Sequence, residues 1–246
     1  SSACASAAHA IVVGASLLRS GLVDVAVVGG ADSCFAPGFL RAWDSLRVVS
    51  PDTCRPFSRG RAGLILGEGA GILVLEAPGF AARRGATVVA DLLGGGMASD
   101  AGDLLAPDPA GMERAMRLAL AAAGVSADAV GYVNAHGTGT GANDRAEAAA
   151  LRAVFGGRAE PIPVSSTKSM IGHALGAAGA IEAIVTIAAL EAGLLPPTLN
   201  FLGVDPEVGI EPIPDVARPA AIDVALSNSF AFRSEEHTSE LQSLAY

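Results

Sequence analysis

Apolar and polar positions alternate along the chain with two periods, one typical of strands and the other of helices. Short runs rich in β-branched residues predict strands at residues 23–29, 71–75, 87–93, 130–134, 163–165 and 222–226. Longer helical patterns predict helices at residues 5–19, 111–123, 144–155 and 177–192. Because strands and helices alternate, the pattern favours an α/β protein in which helices cover parallel or mixed sheets.

Three stretches refine this outline. The predicted helix 177–192 is apolar on nearly every side except at Glu182 and Glu191, so we expect it to be buried. The glycine-rich residues 27–32 lack the full G-x-G-x-x-G of nucleotide-binding loops and are interpreted as a tight turn. A soft boundary is predicted near residues 78–85, where proline, glycine and paired arginines interrupt the pattern.

Composition narrows the class of protein. The chain has 246 residues, of which 51% are hydrophobic, and its formal net charge is −9. Such a chain can bury a core, and its negative charge disfavours binding to nucleic acid. Neither a signal peptide nor a membrane span is indicated, so we expect a cytoplasmic globular protein. The 3 cysteines have no metal-ligand spacing, so neither a metal site nor a disulfide framework is expected.

Cys4 stands immediately before the first predicted helix, within the run of small residues SSACASAA. The positive end of the helix dipole favours a thiolate there, and small neighbours leave room for a substrate. A small cysteine packed under the helix is the alternative, and position alone leaves both interpretations open.

Two histidines lie in glycine-rich loops, His136 within NAHGTGTG and His173 within KSMIGHALG. Glycines on both sides let the backbone approach a ligand closely, which favours a functional role over that of ordinary loop histidines. His9, in the body of the first helix, is interpreted as structural. Lys168 is the only lysine among 16 Lys and Arg residues, and composition alone leaves open whether this is chance or function.

Five ordered blocks of sequence resemble a known family. The strings SACASAAH, LGEGAGILVLE, YVNAHGTGT, SSTKSMIGHALGAAGAIEA and SNSFAF resemble the β-ketoacyl-acyl carrier protein synthases, the elongating condensing enzymes of the thiolase superfamily. The resemblance covers somewhat more than the C-terminal half of a family member. It implies a five-layer αβαβα thiolase-like fold that is incomplete in this chain. Residues 1–80 would be the remainder of the N-terminal half, and residues 81–232 the C-terminal half.

The last stretch, residues 233–246, is predicted to be a non-native tail. Its string RSEEHTSELQS is abruptly polar after an Ala- and Gly-rich chain. The same string is similar to the translation of a common sequencing adapter. We therefore expect the native sequence to end at or near Phe232.

The resemblance implies a Cys-His-His condensing site. Cys4 matches the nucleophile that takes an acyl group from acyl carrier protein as a thioester. His136 and His173 match the pair that promotes decarboxylation of malonyl-acyl carrier protein. Lys168 matches the active-site lysine, and Glu182 matches its acidic partner. No cofactor is implied, because phosphopantetheine arrives on the carrier protein.

The resemblance also implies supporting residues around this centre. Thr138 and Thr140 match hydroxyls that bind the phosphopantetheine arm, and Trp43 lies near the aromatic wall of the acyl pocket. Phe232 matches a mobile gate residue, and its backbone N–H would join that of Cys4 in holding the oxyanion.

Several residues distinguish between related classes of enzyme in this superfamily. The family often has Asp where Ala62 stands and Gly where Ala231 stands. An alanine at position 231 in place of glycine would stiffen the gate. His173 disfavours a starter-unit synthase, which carries Asn there, and Cys4 disfavours a non-catalytic chain-length partner. A thiolase would have a second cysteine near its C-terminus. We therefore predict decarboxylative elongation of a fatty-acyl chain, in a homodimer. A type II polyketide or nodulation-type synthase is one alternative, and an inactive truncated fragment or partner-binding subunit is the other.

Overall fold

Helices and strands alternate in a computed structural model of the chain, which describes residues 2–100 and 107–231 and the backbone of residues 239–245. The helices are α1 (Ser6–Arg19), α2 (Pro37–Ser45), α3 (Pro78–Arg83), α4 (Pro109–Ala123), α5 (Gly141–Phe155), α6 (Lys168–Ile171) and α7 (Ala178–Ala192). The strands are β1 (Val25–Asp32), β2 (Gly69–Glu76), β3 (Asp91–Ala98), β4 (Tyr132–Asn134), β5 (Val164–Ser165), β6 (Leu194–Leu195), β7 (Arg218–Pro219), β8 (Val224–Phe230) and β9 (Ser239–Ala245). Short 3-10 turns at Ala3–Ala5 and Leu175–Ala177 directly precede α1 and α7.

The strands of the described residues form a five-stranded sheet and two two-stranded ribbons. The order of the sheet is β3-β9-β8-β4-β5. In it, β4 runs parallel to β5 and β8, whereas β9 is antiparallel to β3 and β8. One ribbon pairs β1 with β2 in antiparallel register, and the other pairs β6 with β7. The mixed α/β class predicted from the alternation is confirmed. Because β9 falls within residues 233–246, the non-native origin of that stretch stays a prediction.

The elements stack in the order β–α–β–α. Helices α1 and α7 lie between the β1–β2 ribbon and the five-stranded sheet. Helices α4 and α5 pack on the opposite face of that sheet. Among the described residues these are four of the five layers of the predicted αβαβα thiolase-like fold, which was expected to be incomplete in this chain. The outer face of the ribbon exposes Val27, Ile72 and Val74, whose accessible fractions are 71%, 55% and 61%.

The glycine-rich stretch at residues 27–32 continues a strand, so the predicted tight turn was wrong. All eight residues of β1 pair with β2. The glycines serve close packing instead of a turn. A Cβ on Gly30 would lie 2.7 Å from the carbonyl oxygen of Gly176 and 3.0 Å from the Cβ of Ala7. Only glycine therefore allows β1 to approach both the start of the α7 region and helix α1.

Strand β3 lies further along the chain than the predicted strand 87–93. The predicted strand ends at residue 93, before three glycines of low strand propensity. The observed strand continues through these glycines to Ala98. Packing explains the difference, because a Cβ on Gly96 would collide with the backbone of α4 at Ala115 and Ala119. The glycines let the helix lie close against the strand, so tertiary contact outweighs local propensity.

Helix α7 lies in the interior, as its apolar sequence predicted. Together with the turn before it, residues Leu175–Ala192 form a helix long and apolar enough to cross a membrane by length and composition alone, yet 56% of that stretch is buried inside the protein. Glu182 is buried, whereas Glu191 is exposed. A buried carboxylate on a core helix requires a partner, and the side chain of Lys168 provides it.

Candidate active site

Cys4 lies in the 3-10 turn that precedes α1 and is 3% exposed. The preceding residue, Ala3, has a positive φ of 48°, so the backbone turns sharply at this point. The thiol belongs to an apolar cluster with Cys34, Leu64, Leu66 and Leu175. The three cysteines are buried and form no disulfide among the described residues.

Trp43 and Ala231 pack against this same apolar cluster around Cys4. Trp43 comes from α2, and Ala231 follows directly on the end of β8. The structure therefore packs the predicted acyl-pocket residue against the same apolar cluster that contains the predicted nucleophile. The methyl group of Ala231 occupies space that a glycine would leave open.

His136 and His173 come together from two different loops. His136 follows β4 by two residues, and His173 follows the short helix α6. Their ring centroids are 5.2 Å apart with the planes at 84°. The ring of Phe230 meets His136 edge-on from a third side, at 5.9 Å. The two histidines predicted as a pair thus form one in space.

Burial determines the charge state of this pair. His136 is 3% exposed and His173 is 1% exposed. Loss of water, followed by the nearby Lys168 charge, holds the pKa of both imidazoles well below its ordinary value. Neither Nδ1 nor Nε2 of His173, nor Nδ1 of His136, has a hydrogen-bond partner within the described part of the chain. Neutral rings with buried, unpartnered nitrogens are suited to bonding a ligand.

Lys168 and Glu182 form an ion pair, and the charge of Lys168 acts on both histidines. The Nζ atom of Lys168 donates to Oε1 of Glu182, and both side chains are buried. Burial raises the pKa of Glu182 to about 7, although the positive charge of Lys168 acts against this rise. Each charge offsets the cost of burying the other. The structure thus pairs these two residues, as the resemblance implied.

The loop that carries His173 is fixed to the segment before β2. The N–H of His173 donates to the carbonyl of Ile65 at 2.7 Å, and its own carbonyl accepts from the N–H of Gly67 at 2.9 Å. The turn that follows, Leu175–Ala177, packs against the turn that holds Cys4. These contacts bring the nucleophile turn and the second histidine to the same side of the molecule.

Glu147 holds the loop that carries His136, a role that the sequence analysis missed. It lies on α5, is fully buried, and accepts from the backbone N–H groups of His136 and Gly137, both at 2.8 Å. The side-chain amide of Asn228 donates to it at 3.0 Å. Burial raises the pKa of Glu147, while these donors act in the opposite direction. The carboxylate therefore acts as a fixed acceptor behind the histidine.

Asp144, one turn earlier on α5, was also missed and anchors the neighbouring loops. It accepts from the N–H of Phe57 at 2.8 Å and from the N–H of Gly139 at 3.2 Å. Burial raises the pKa of Asp144 to about 6. Two acidic residues at i and i+3 in an otherwise Ala-rich helix, directly after a GTGTG loop, were the available signal.

Thr138 and Thr140 lie in this loop with their hydroxyl groups 2.8 Å apart. Both are buried, and the carbonyl of Thr138 accepts from the thiol of Cys54 at 3.3 Å. Binding of a phosphopantetheine arm by these hydroxyls stays a prediction. Phe232, the predicted gate and oxyanion residue, lies outside the described residues. His9 accepts or donates a hydrogen bond with the hydroxyl of Ser2, which fits its structural interpretation.

Among the described residues, no three His, Cys, Asp or Glu side chains are grouped so as to hold a metal ion. The expected chemistry without a metal stays a prediction. The centre consists of a thiol, two neutral imidazoles and a paired ammonium group, which together provide a nucleophile and hydrogen-bond donors.

Two family models match this chain, one over its N-terminal part and the other over its C-terminal part. Residues 1–78 match the N-terminal domain of the β-ketoacyl synthases, and residues 89–202 match the C-terminal domain. Nodulation protein E of Rhizobium sp. strain N33 is 50% identical over 230 residues, which is 94% of this chain and 57% of that protein. A 3-oxoacyl-[acyl-carrier-protein] synthase 2 of Synechocystis is 40% identical over 238 residues, with the same two coverages.

Solved structures show the same relationship in three dimensions. The ishigamide ketosynthase/chain length factor superposes with a TM-score of 0.94 at 39% identity, over 100% of this chain and 59% of that one. The chain thus spans somewhat more than half the length of the relatives it matches. With both domain matches, the shared fold and the paired histidines in place, this chain belongs to the β-ketoacyl synthase family.

Proposed function

We propose that the protein carrying this chain joins an acyl group held on Cys4 to a two-carbon unit released from malonyl-acyl carrier protein. One observation carries the proposal. The two buried rings of His136 and His173 are 5.2 Å apart and have unpartnered nitrogens, and the turn that follows His173 packs against the turn that holds Cys4. Such a pair provides donors for the negative charge that develops during the reaction.

The first step loads the enzyme. The thiol of Cys4 attacks the carbonyl carbon of an acyl thioester on the carrier protein, and the bond from that carbon to the carrier sulfur breaks. The proton lost by Cys4 passes to the departing carrier thiolate. The position of Cys4 in the turn directly before α1 assists, because the positive end of the helix dipole favours the attacking thiolate.

The second step forms the new carbon–carbon bond. The carboxylate of the malonyl group leaves as CO2, and the electron pair of the broken bond becomes an enolate on the thioester. Nε–H or Nδ–H groups of His136 and His173 donate to the enolate oxygen. The enolate carbon then attacks the acyl carbon, the bond to the sulfur of Cys4 breaks, and the thiolate takes a proton from water.

The Lys168–Glu182 pair supports this step through its charge. Burial lowers the pKa of both imidazoles most, and the ammonium group adds to this effect, so the rings stay neutral donors. Arginine would bring a larger planar group with five donors and would not fit the same buried position. Thr138 and Thr140 are the proposed contacts for the phosphopantetheine arm that delivers each thioester.

The acyl product belongs to one of two classes. Extension of a fatty-acyl chain is the first, in line with the 40% identity to a 3-oxoacyl-[acyl-carrier-protein] synthase. A nodulation-type or polyketide-type product is the second, and the 50% identity to Nodulation protein E favours it. Incubation with malonyl-carrier protein, acyl primers of graded length and the reducing enzymes of fatty-acid synthesis separates the two. Saturated chains that lengthen step by step support the first class.

The proposed partners are an acyl carrier protein and a second synthase subunit. A homodimer is the simplest arrangement, and a structural relative described as a ketosynthase/chain length factor offers the heterodimeric alternative. We propose the cytoplasm as the location, because acyl carrier proteins supply both substrates.

Substitution of Cys4 tests the proposed function in the complete protein that carries this chain. Cys4→Ala should abolish acyl loading and condensation, because no other group would carry the acyl thioester. Cys34→Ala is the matched control, since that buried thiol lies in the same cluster but is assigned no chemistry. Condensation by the Cys4→Ala protein would refute the proposal. Loss of condensation in both variants would indicate a structural effect, and a wild-type protein without either activity would favour the partner-binding alternative.

A further inference from the structure

Asp32, the last residue of β1, reaches across to the loop that carries His173. Its Oδ2 atom accepts a hydrogen bond from the backbone N–H of Gly176 at 3.0 Å. The two residues are 144 positions apart in the sequence. Gly176 lies only three positions after His173, in the turn Leu175–Ala177 that leads into α7. The contact therefore ties the end of a distant strand to the loop of the second histidine.

The start of this helical segment needs such an acceptor. The first N–H groups of a helix have no partner within the helix, and Ser, Thr, Asp or Asn side chains usually accept from them. The cap positions here are Ala174 and Ala177, and neither has a side-chain hydrogen bond. Asp32 supplies from β1 the carboxylate that the local sequence lacks. Its negative charge is also favourable next to the positive end of the helix.

The same contact lies where the loop that carries His173 packs against the turn that holds Cys4. A Cβ on Gly176 would lie 3.2 Å from Oδ2 of Asp32 and 3.8 Å from the carbonyl oxygen of Ala3, the residue before Cys4. Gly176 is thus held between the carboxylate and the turn of the nucleophile. A displacement of Gly176 would change the separation of the two loops.

Asp32 is itself held in place by the segment that follows it. The carboxylate of Glu68 accepts from the hydroxyl of Ser33 and from the N–H of Phe35, both at 2.9 Å. Glu68 follows Gly67, whose N–H donates to the carbonyl of His173. Residues 32–35 and 65–68 therefore form one support that holds this loop at the backbone of His173 and at Gly176.

We propose that Asp32 is a positioning residue that fixes His173 relative to Cys4. The inference rests on the proposed function, because it assigns Asp32 to the decarboxylation step that needs His173. Acyl loading of Cys4 does not depend on the position of the His173 ring relative to Cys4. Loss of Asp32 should therefore affect decarboxylation much more than loading.

Three variants of the complete protein test the inference. Asp32→Ala removes the acceptor, whereas Asp32→Asn keeps a side-chain oxygen that accepts from Gly176. The matched control is Asp108→Ala, because Asp108 caps α4 by accepting from the N–H of Ala110 at 3.0 Å, away from the site. Release of CO2 from malonyl-carrier protein and acyl loading of Cys4 are measured separately. Hydrogen exchange of the Gly176 amide is measured alongside.

The expected pattern has three parts. Asp32→Ala lowers the rate of CO2 release about tenfold and raises exchange at Gly176 about tenfold, as for one lost charge-assisted hydrogen bond. Asp32→Asn stays close to the wild type in both measurements, and Asp108→Ala changes neither. Equal losses of loading and CO2 release in Asp32→Ala, or unchanged CO2 release, would overturn the inference. A wild-type protein that releases no CO2 would refute the proposed function, and unchanged exchange at Gly176 would refute the contact independently of activity.

Discussion

The imidazole rings of His136 and His173 meet edge to face, with 5.2 Å between their centroids and 84° between their planes. Both are buried, and the pKa of each is lowered first by loss of water and then by the charge of Lys168. The same ammonium group would repel a second positive charge in this space. The pair is therefore a set of neutral imidazoles, each of which keeps one ring N–H that can donate to an enolate oxygen.

We expect both imidazoles to stay neutral when the pH is lowered from about 8 to about 5.5, below the ordinary histidine pKa. A base whose pKa is lowered remains unprotonated until the pH falls below that lowered value. Acidification through the ordinary range should therefore leave the ring-nitrogen chemical shifts of His136 and His173 unchanged in NMR spectra. The urea-unfolded protein is the reference and should titrate at the ordinary value. A midpoint near that value for either ring in the folded protein would contradict the assignment.

Removal of Glu147 should impair the function of His136, although Glu147 is not proposed to contact the substrate. Glu147→Ala leaves two buried backbone N–H groups and the amide of Asn228 without their acceptor. We expect a loss of about 3 kcal/mol in the free energy of unfolding and a fall in CO2 release that exceeds the fall in acyl loading. Glu147→Gln keeps one oxygen and should lose less of both.

The control for this prediction is Glu113→Ala on the surface of α4, where the carboxylate pairs with Arg117 in an exposed i,i+4 contact. Such a pair contributes well under about 1 kcal/mol, so the variant should resemble the wild type in urea unfolding and in both partial reactions. If Glu147→Ala behaved like Glu113→Ala, the support assigned to the His136 loop would be wrong.

The sequence predicted the main elements because their patterns are strong over many residues. Helices α1, α4, α5 and α7 and most strands lie within a few residues of their predicted positions. Most of them carry an apolar face that repeats regularly, whereas α7 is apolar on nearly every side. Glycines caused the errors at residues 27–32 and in β3, because local propensity disfavours glycine in strands whereas close packing against a neighbouring element requires it.

The centre of the site was predicted better than its supports. The resemblance supplied the two histidines and the Lys168–Glu182 pair, and the structure brings each pair together. Asp32 and Glu147 were missed, since their importance depends on which backbone N–H groups they meet. One of those contacts joins residues 144 positions apart. No local pattern reports such a contact, because it exists only after the layers have packed.

The buried ion pair should show strong coupling between its two members. Lys168→Met leaves the Glu182 carboxylate buried without its cation, and Glu182→Leu leaves the ammonium group in the same position. Each single variant should lose about 3–5 kcal/mol of folding free energy. The double variant should lose much less than the sum, because no unpaired charge remains. Urea unfolding of the four proteins measures the coupling, and additive losses would show that the pair does not act as a unit.

Close packing of β3 against α4 should make Gly96 intolerant of a single methyl group. A Cβ there collides with the helix backbone, which lacks the freedom of a side chain to move aside. Gly96→Ala should cost about 1–3 kcal/mol in the free energy of unfolding, as overpacking does. Gly157→Ala is the control, because nothing lies within 4 Å of its added Cβ. Equal urea midpoints for the two variants would contradict the packing argument.

The exposed face of the β1–β2 ribbon should make the 246-residue chain associate with itself. Val27 and Val74 are opposite each other in the antiparallel register and leave a contiguous apolar surface in water. Val27→Thr with Val74→Thr keeps the β-branched shape that strands favour but makes this surface polar, so light scattering should report smaller particles. Val216→Thr changes a valine that is 75% exposed elsewhere and should leave particle size unchanged. An equal effect of the control, or a wild-type chain that stays monomeric when concentrated, would mean that this face does not drive association.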